Sequence, residues 1–366
     1  MRVLILNEVC GHTSTGKICA RMAEKMNEEG NEVRIAYGRD DRIPEKYRKF
    51  AVRIGNDFSV RIHGVATRLF DLHGFSSTRA TKSFLSWAEE YDPDLIWLHN
   101  LHGYYINVEL LFSWIKSRPD MQVKWTLHDS WSFTGHCAVL GDCDKWKTGC
   151  GACPRKKTYP ASILFDGSRR NYERKRKAFT NVKNLSIITP SNWLAGLVKQ
   201  SYLGQYPVEI VRNSIDKTAF KPTESDFRKR HDIVGKKMIL AVSNAWQDPD
   251  KGLKDVYKLR KLLGEEYAIV IVGLTDSLMK TLPEGIIGIR KTQDEKELAG
   301  IYTTADILFN PTYMDNYPTV NLEAEACGTR VITYSSGGAA ETIHRKDSVA
   351  IPTGDIEALV RLIKKV

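Results

Sequence analysis

RVLILNEVCGHTSTGKICARMAEKMNEEGNEVRIAY, residues 2–37, is the stretch that decides the fold. Its first eight residues are an apolar run of strand type, and CGHTSTG (10–16) is a loop of small residues. Ile18, Met22 and Met26 then recur at helical spacing, Gly30 stops the helix, and EVRIAY reads as a second strand. Strand, loop, helix and strand in this order form a βαβ unit, which builds a parallel sheet.

Working outward, the same grammar continues in DLIWLHN (94–100), VKWTLHD (123–129) and LSIITPS (185–191), each an apolar run ending in a polar group. PVEIVRNSID (207–216) adds a strand and a turn, and the polar, broken stretch 217–236 reads as a linker. After it the pattern restarts with KMILAVSN, KGLKDVYKLRKLLG, YAIVIVG, DEKELAGIYTTA, DILFNP, PTVNLEAEACG and RVITYS. The expected architecture is α/β: two Rossmann-like, doubly wound domains, 1–216 and 237–366, facing across a cleft, with ligands at the strand ends. Neither domain carries G-x-G-x-x-G, which disfavours a dinucleotide-dependent dehydrogenase.

Composition fits this plan. With 366 residues, 42% hydrophobic and 27% charged, the chain has material for two cores. No stretch reaches the roughly 20 apolar residues of a membrane-spanning helix, and the N-terminus lacks a secretory pattern, so a cytoplasmic location is expected. The net charge of +10 calls for a polyanionic partner or surface. The excess concentrates between Arg155 and Lys177, where nine Lys or Arg face only Asp166 and Glu173. This run is either a solvated helix face or, with Ile163, Leu164 and Phe165 beside it, a contact to an anionic membrane surface.

Seven cysteines, an odd number, argue against a disulfide framework. Four of them, Cys137, Cys143, Cys150 and Cys153, cluster in a loop (137–153) whose end has C-x2-C spacing. The set fits a structural zinc site with no open position, an iron–sulfur cluster, or free thiols.

The chemistry concentrates in NPTYMDNYPTVNLEAEACGTRVITYSSGG, 310–338. Pro318 suits the first position of a helix that Gly328 ends. The amides of Thr319 and Val320 at that helix start favour an anion such as a diphosphate. Asp315 and Glu323 stand eight apart, one before the helix and one inside it. They either hold the hydroxyls of a ribose and a sugar, or serve as a helix cap and a surface acid.

This segment resembles the acid-x7-acid signature of glycosyltransferase family 4, retaining enzymes of the GT-B fold. The likeness extends to Gly16 in the small-residue loop, TPSNW (189–193), VRNSIDKTAFKP (211–222) and Lys251-Gly252. LHDSWSFTGHC with KWKTGCGACP is similar to a bacterial subgroup making capsular, exopolysaccharide or colanic-acid-type glycans. The resemblance implies that Glu323 binds the nucleotide ribose, that Asp315 contacts the donor sugar and that Lys251 neutralises the diphosphate. It also implies that His128 lines the donor sugar, either so or as a capped core histidine, and that Arg290 lies where the base usually sits. His99 and His102 end a strand and are assigned to the acceptor side. The arginine expected five residues before Lys251 is replaced by Trp246, and Pro318 stands where a glycine is usual.

The implied partners are a nucleotide-sugar donor, UDP-linked by preference, and a glycan or polyprenyl-diphosphate-linked acceptor at the inner membrane face. No nucleic acid is expected, and no cofactor is required for transfer. Three other readings make different predictions. A basic, zinc-containing nucleic-acid-binding protein would bind DNA or RNA in a strongly salt-dependent way. A GT-B phosphorylase or an epimerase would act without a glycan acceptor. An idle scaffold would turn nothing over.

Overall fold

The computed structural model describes residues 1–365, and the chain divides into two units, Met1–Val211 and the part from Arg212 onward. The first unit holds seven strands: β1 (Arg2–Asn7), β2 (Glu32–Tyr37), β3 (Ala51–Arg53), β4 (Leu95–Leu98), β5 (Gln122–Thr126), β6 (Leu185–Thr189) and β7 (Val208–Ile210). They form one sheet in the order β3-β2-β1-β4-β5-β6-β7. The second unit holds β8 (Lys237–Val242), β9 (Tyr267–Val272), β10 (Ile286–Ile289), β11 (Ile307–Asn310), β12 (Arg330–Tyr334) and β13 (Val349–Ile351), in the order β10-β9-β8-β11-β12-β13. Every pairing is parallel. Each unit is therefore a Rossmann-like parallel α/β sheet. The direction of strand order reverses between β1 and β4 in the first, and between β8 and β11 in the second.

A parallel sheet is covered on both faces, so its strands are apolar nearly throughout. The second unit shows this directly. Ile239, Ala241, Ile269 and Ile271 pack into a core on one side, while their neighbours Met238, Leu240, Val270 and Val272 pack into another. Successive side chains alternate between faces, and both faces are buried. β3, β10 and β13 are not anticipated from the sequence, because AVR, IIGI and VAI are too short to display a period.

The polar segment 217–236 is not a linker. Phe220, Phe227 and Ile233 are buried in the second unit's core. The Arg228 guanidinium donates to the carbonyls of Thr304 and Lys236 and pairs with Asp306 at 2.7 Å. Three apolar anchors among polar letters show no period, which hides them from a sequence reading. The two units meet five residues before the expected boundary at 216.

The basic run also differs from a uniform exposed face. The helix Ser168–Phe179 buries Lys175 completely. Its ammonium nitrogen donates to the carbonyls of Trp131 (2.7 Å) and Thr134 (3.2 Å) and lies 3.4 Å from the centre of the Trp131 ring. Burial lowers its pKa to about 7. Arg174 pairs with Glu109 and lies over the Phe75 ring. Arg169, Arg170, Arg176 and Lys177 remain exposed.

Candidate functional site

In the second unit, three loops that follow neighbouring strands converge. The loop after β8 docks on the loop after β11: the Tyr313 amide donates to the Asp250 carbonyl at 2.7 Å. Gly252, at φ +72°, makes the approach possible, since a Cβ there would lie 2.1 Å from the Pro311 carbonyl oxygen. The loop after β12 closes in from the other side, with the Gly338 amide donating to the Asp315 carbonyl at 2.9 Å. Gly337, at φ +57°, passes so near that carbonyl that a Cβ would clash with it at 2.2 Å.

This packing brings Lys251 and Asp315 together, with 2.7 Å between ammonium nitrogen and carboxylate oxygen. Both side chains keep about a quarter of their surface exposed (25% and 26%), so the pair lies at an opening rather than in the core. Burial works against the charge on Lys251, but Asp315, Asp248 and Asp250 outweigh it and raise its pKa above the ordinary lysine value. The pair stands at the reversal between β8 and β11, where open parallel sheets bind ligands.

The helix Thr319–Ala326 begins beside it, one residue later than expected, with Pro318 as the residue before its first turn. Pro318, at the N-cap, makes no side-chain cap hydrogen bond, and no acidic residue occupies the first turn. Asp315 is thus not the helix cap; its other oxygen accepts from the Tyr317 amide at 3.3 Å. The amides of Thr319 and Val320 are the first the helix offers to an anion, since Pro318 has none. Gly328, at φ +91°, follows the helix end as expected.

Glu323 is only partly buried, and its carboxylate accepts from the hydroxyl of fully buried Tyr302 at 3.0 Å. That bond fixes its orientation. Its neighbour Glu325 accepts from the amides of His344 and Arg345, which makes it a brace for the 343–345 turn. Asn321 is buried between Asn310 and Thr342, tying the helix to β11.

Arg290 directly follows β10, the edge strand, and pairs with exposed Asp276 at 2.6 Å. β9 lies between its strand and β8, so it belongs to a separate loop from Lys251. Trp246 is a core residue: its indole is buried and donates to the Val272 carbonyl at 2.8 Å. It supplies no charge where an arginine was expected.

In the first unit the histidines lie where the strands end. His128 and His99 stack with ring centres 5.3 Å apart and share a hydrogen bond of 3.0 Å. Burial lowers both pKa values, that of His128 to about 4, so neither is charged at neutral pH. His102 pairs with Asp129 at 2.6 Å and with the Tyr159 hydroxyl at 3.1 Å. Asp129 therefore orients His102 directly. Burial opposes the His102 charge, but Asp129 outweighs it and raises the pKa above the ordinary value. Gly16 lies inside the helix Thr13–Glu28, where a Cβ would meet Val9 at 2.9 Å. Its small size lets that helix pack on the loop after β1.

The four clustered cysteines line one small cavity with Trp146, Leu140 and Thr134. The Cys137 and Cys153 sulfurs are 3.5 Å apart, and the Gly135 amide donates to Cys150. Among the described residues, no group of three or more His, Cys, Asp or Glu side chains is arranged to hold a metal ion.

Sequence reasoning missed Tyr302 beneath Glu323, and the buried Asp255 that accepts from the hydroxyls of Tyr313 (2.6 Å) and Tyr334 (2.9 Å). It also missed Tyr159 on His102. These partners come from distant segments, and no local spacing announces them.

Residues 223–366, most of the second unit, match the model of the family described as glycosyl transferases group 1. A curated relative, "Putative colanic acid biosynthesis glycosyl transferase WcaC" of Escherichia coli K12, is 27% identical over 278 residues, covering 74% of this chain and 67% of its own. Sucrose-phosphate synthase from Thermosynechococcus elongatus superposes with a TM-score of 0.72 at 15% identity, covering all of this chain and 89% of its own. Anabaena HepE in complex with UDP gives 0.67 at 14% identity, with the same coverage. At these identities the solved structures show a shared fold, that of GT-B glycosyltransferases.

Proposed function

We propose that the protein transfers a sugar, with retention of configuration, from a nucleotide-diphosphate donor to a glycan acceptor in bacterial polysaccharide synthesis. The observation that carries this reading is the Lys251–Asp315 pair beside the start of the Thr319–Ala326 helix, one and a half turns from an oriented Glu323, all within the residues that match the group 1 model. A nucleotide sugar has a matching set of groups. Glu323 takes the ribose hydroxyls, the amides of Thr319 and Val320 and the ammonium of Lys251 take the diphosphate, and Asp315 takes a sugar hydroxyl. Charge grows on the diphosphate as the glycosidic bond breaks, and fixed donors aimed there lower the barrier.

UDP is favoured as the nucleotide, in keeping with the UDP and UDP-glucose named in the structural neighbours. In the first unit, His128 is proposed to hydrogen-bond a donor-sugar hydroxyl, and His102 with Asp129 to take acceptor hydroxyls. The acceptor is proposed to be carried on a polyprenyl diphosphate, with the protein peripheral at the cytoplasmic membrane face. Thermal unfolding with UDP-, GDP- and ADP-sugars tests the donor reading. At 100-fold excess over Kd a true ligand adds about 2.7 kcal/mol to the native state. A raised midpoint with one nucleotide class is expected, and no response to any of them contradicts the reading.

A further inference from the structure

The helix Asp57–Phe70 turns an apolar stripe outward. Phe58, Ile62, Val65 and Leu69 are spaced by four, three and four residues and so share one face. The face is not packed against the protein: Phe58 is 71% exposed, Ile62 52% and Val65 56%. The opposite face is buried through His63 and Thr67.

A second segment continues the stripe. The Ile163 amide donates to the Arg68 carbonyl at 2.7 Å, and the Phe165 amide to the Leu69 carbonyl at 3.3 Å. Phe165 stacks on Phe70 with ring centres 5.8 Å apart. Ile163, Leu164 and Phe165 are each more than half exposed. Asp71 holds the two segments in register from below, accepting from His136 (2.7 Å) and from the Gly167 amide (2.9 Å). The result is a contiguous, rigidly based apolar patch, of the kind that marks an interaction surface.

Its rim is basic. Arg61 and Arg68 are exposed on the helix, Lys156 donates to the Leu164 carbonyl, and exposed Arg170 donates to the Phe70 carbonyl. The two nearby carboxylates are engaged within the protein: Asp57 pairs with Arg53, and Asp166 accepts from the Cys153 and Ser168 amides. Apolar side chains at the centre and unopposed cations around them match a bilayer with anionic headgroups. No described helix is long and apolar enough to cross a membrane, so the attachment is in the plane of the surface.

We propose that this patch, formed by the Asp57–Phe70 helix and residues 163–165, inserts into the headgroup layer of an anionic membrane. This deepens the reading of a lipid-carried acceptor and rests on it for its purpose. It also narrows the surface expected from the basic run: Lys175 is buried and Arg174 is paired, so the cations of that run beside the patch are Lys156 and Arg170.

The test is sedimentation of the whole protein with phosphatidylcholine vesicles, with and without phosphatidylglycerol. The triple variant Ile62→Gln, Leu164→Gln, Phe165→Gln is compared with Arg61→Gln, Arg68→Gln. Wild type is expected to bind the anionic vesicles and to keep part of its binding at high salt. The apolar variant should lose about tenfold or more in partition, and the basic variant should lose the salt-sensitive part. Equal binding by wild type and the apolar variant, or none by wild type, overturns the proposal. So does a concentration-dependent dimer in solution that the apolar variant abolishes, because the patch would then join two copies. Nucleotide-sugar affinity, measured alongside, should be unchanged in both variants. Its absence in wild type would sink the donor reading and leave vesicle binding as an independent result.

Discussion

Lys251 and Asp315 neutralise each other in the structure, yet each has a separate partner in the proposed donor complex. Replacing Lys251 with Ala removes the cation nearest the departing diphosphate. Loss of one such stabilising donor costs about 100- to 1000-fold in kcat, and a change confined to acceptor KM would remove Lys251 from that role. Glu323 needs a more careful substitution. Alanine there would strand the buried Tyr302 hydroxyl, at a cost of about 1–3 kcal/mol in stability. Glu323→Gln keeps an acceptor for Tyr302 while removing the charge. It should weaken nucleotide-sugar binding by about tenfold or more with little change in melting temperature, and unchanged affinity by calorimetry would exclude Glu323 from the donor site. The two acids stood out in the sequence because their spacing is local, and Lys251 because Lys251-Gly252 resembles a family motif. The 2.7 Å pair and Tyr302 did not, since each joins positions more than twenty residues apart. Trp246 illustrates the same limit. Its letter shows that the arginine is missing, but only the fold shows an indole sealing the core.

At the scale of elements, burial of ionisable groups sets two measurable responses. Strand ends and neighbouring helices in the first unit bury His63, His73, His99 and His128, all with lowered pKa values, those of His63 and His128 about 4. The unfolded chain then binds more protons below the ordinary histidine value of 6.5, so stability falls as pH drops from there toward 4. His102 acts in the opposite sense: its pKa is raised, so its contribution is full below 6.5 and is lost above. Four groups outweigh one. The urea midpoint should fall between pH 7 and pH 5, and a flat or rising midpoint would contradict the histidine assignments. Lys175 acts at higher pH, because the unfolded chain takes up its proton between the ordinary 10.5 and about 7. Its stability contribution therefore declines as pH falls through that window. Lys175→Gln should destabilise the protein by about 1–3 kcal/mol, since the shorter side chain leaves the Trp131 and Thr134 carbonyls short of donors. An unchanged melting temperature would return Lys175 to the surface. The basic letters of 169–177 predicted the helix correctly. They could not show which cation turns inward, because the aromatic ring that receives it comes from residue 131. The cysteine loop is a third element open to test: a structural zinc would require the thiols to shift into a tetrahedral array, and elemental analysis should then find one zinc per chain.

For the whole molecule, the order of apolar runs was enough to read two parallel α/β units, and the strand order of each sheet agrees with that reading. The boundary was less legible: 217–236 looks like a linker because its three core anchors are embedded in charge. The loops that carry the proposed chemistry follow β8 and β11, the strands flanking the reversal in the second sheet, so fold and function share a topological origin. The central claim is glycosyl transfer from a nucleotide sugar, and product analysis tests it most directly. The purified protein is incubated with the nucleotide sugar that stabilises it and with lipid-linked glycan extracted from bacterial membranes. The account predicts release of one nucleoside diphosphate for each sugar added to the glycan, with the anomeric configuration of the donor retained and turnover strongly reduced in Lys251→Ala. Consumption of the donor without sugar on the glycan, or turnover untouched by Lys251→Ala, would contradict it.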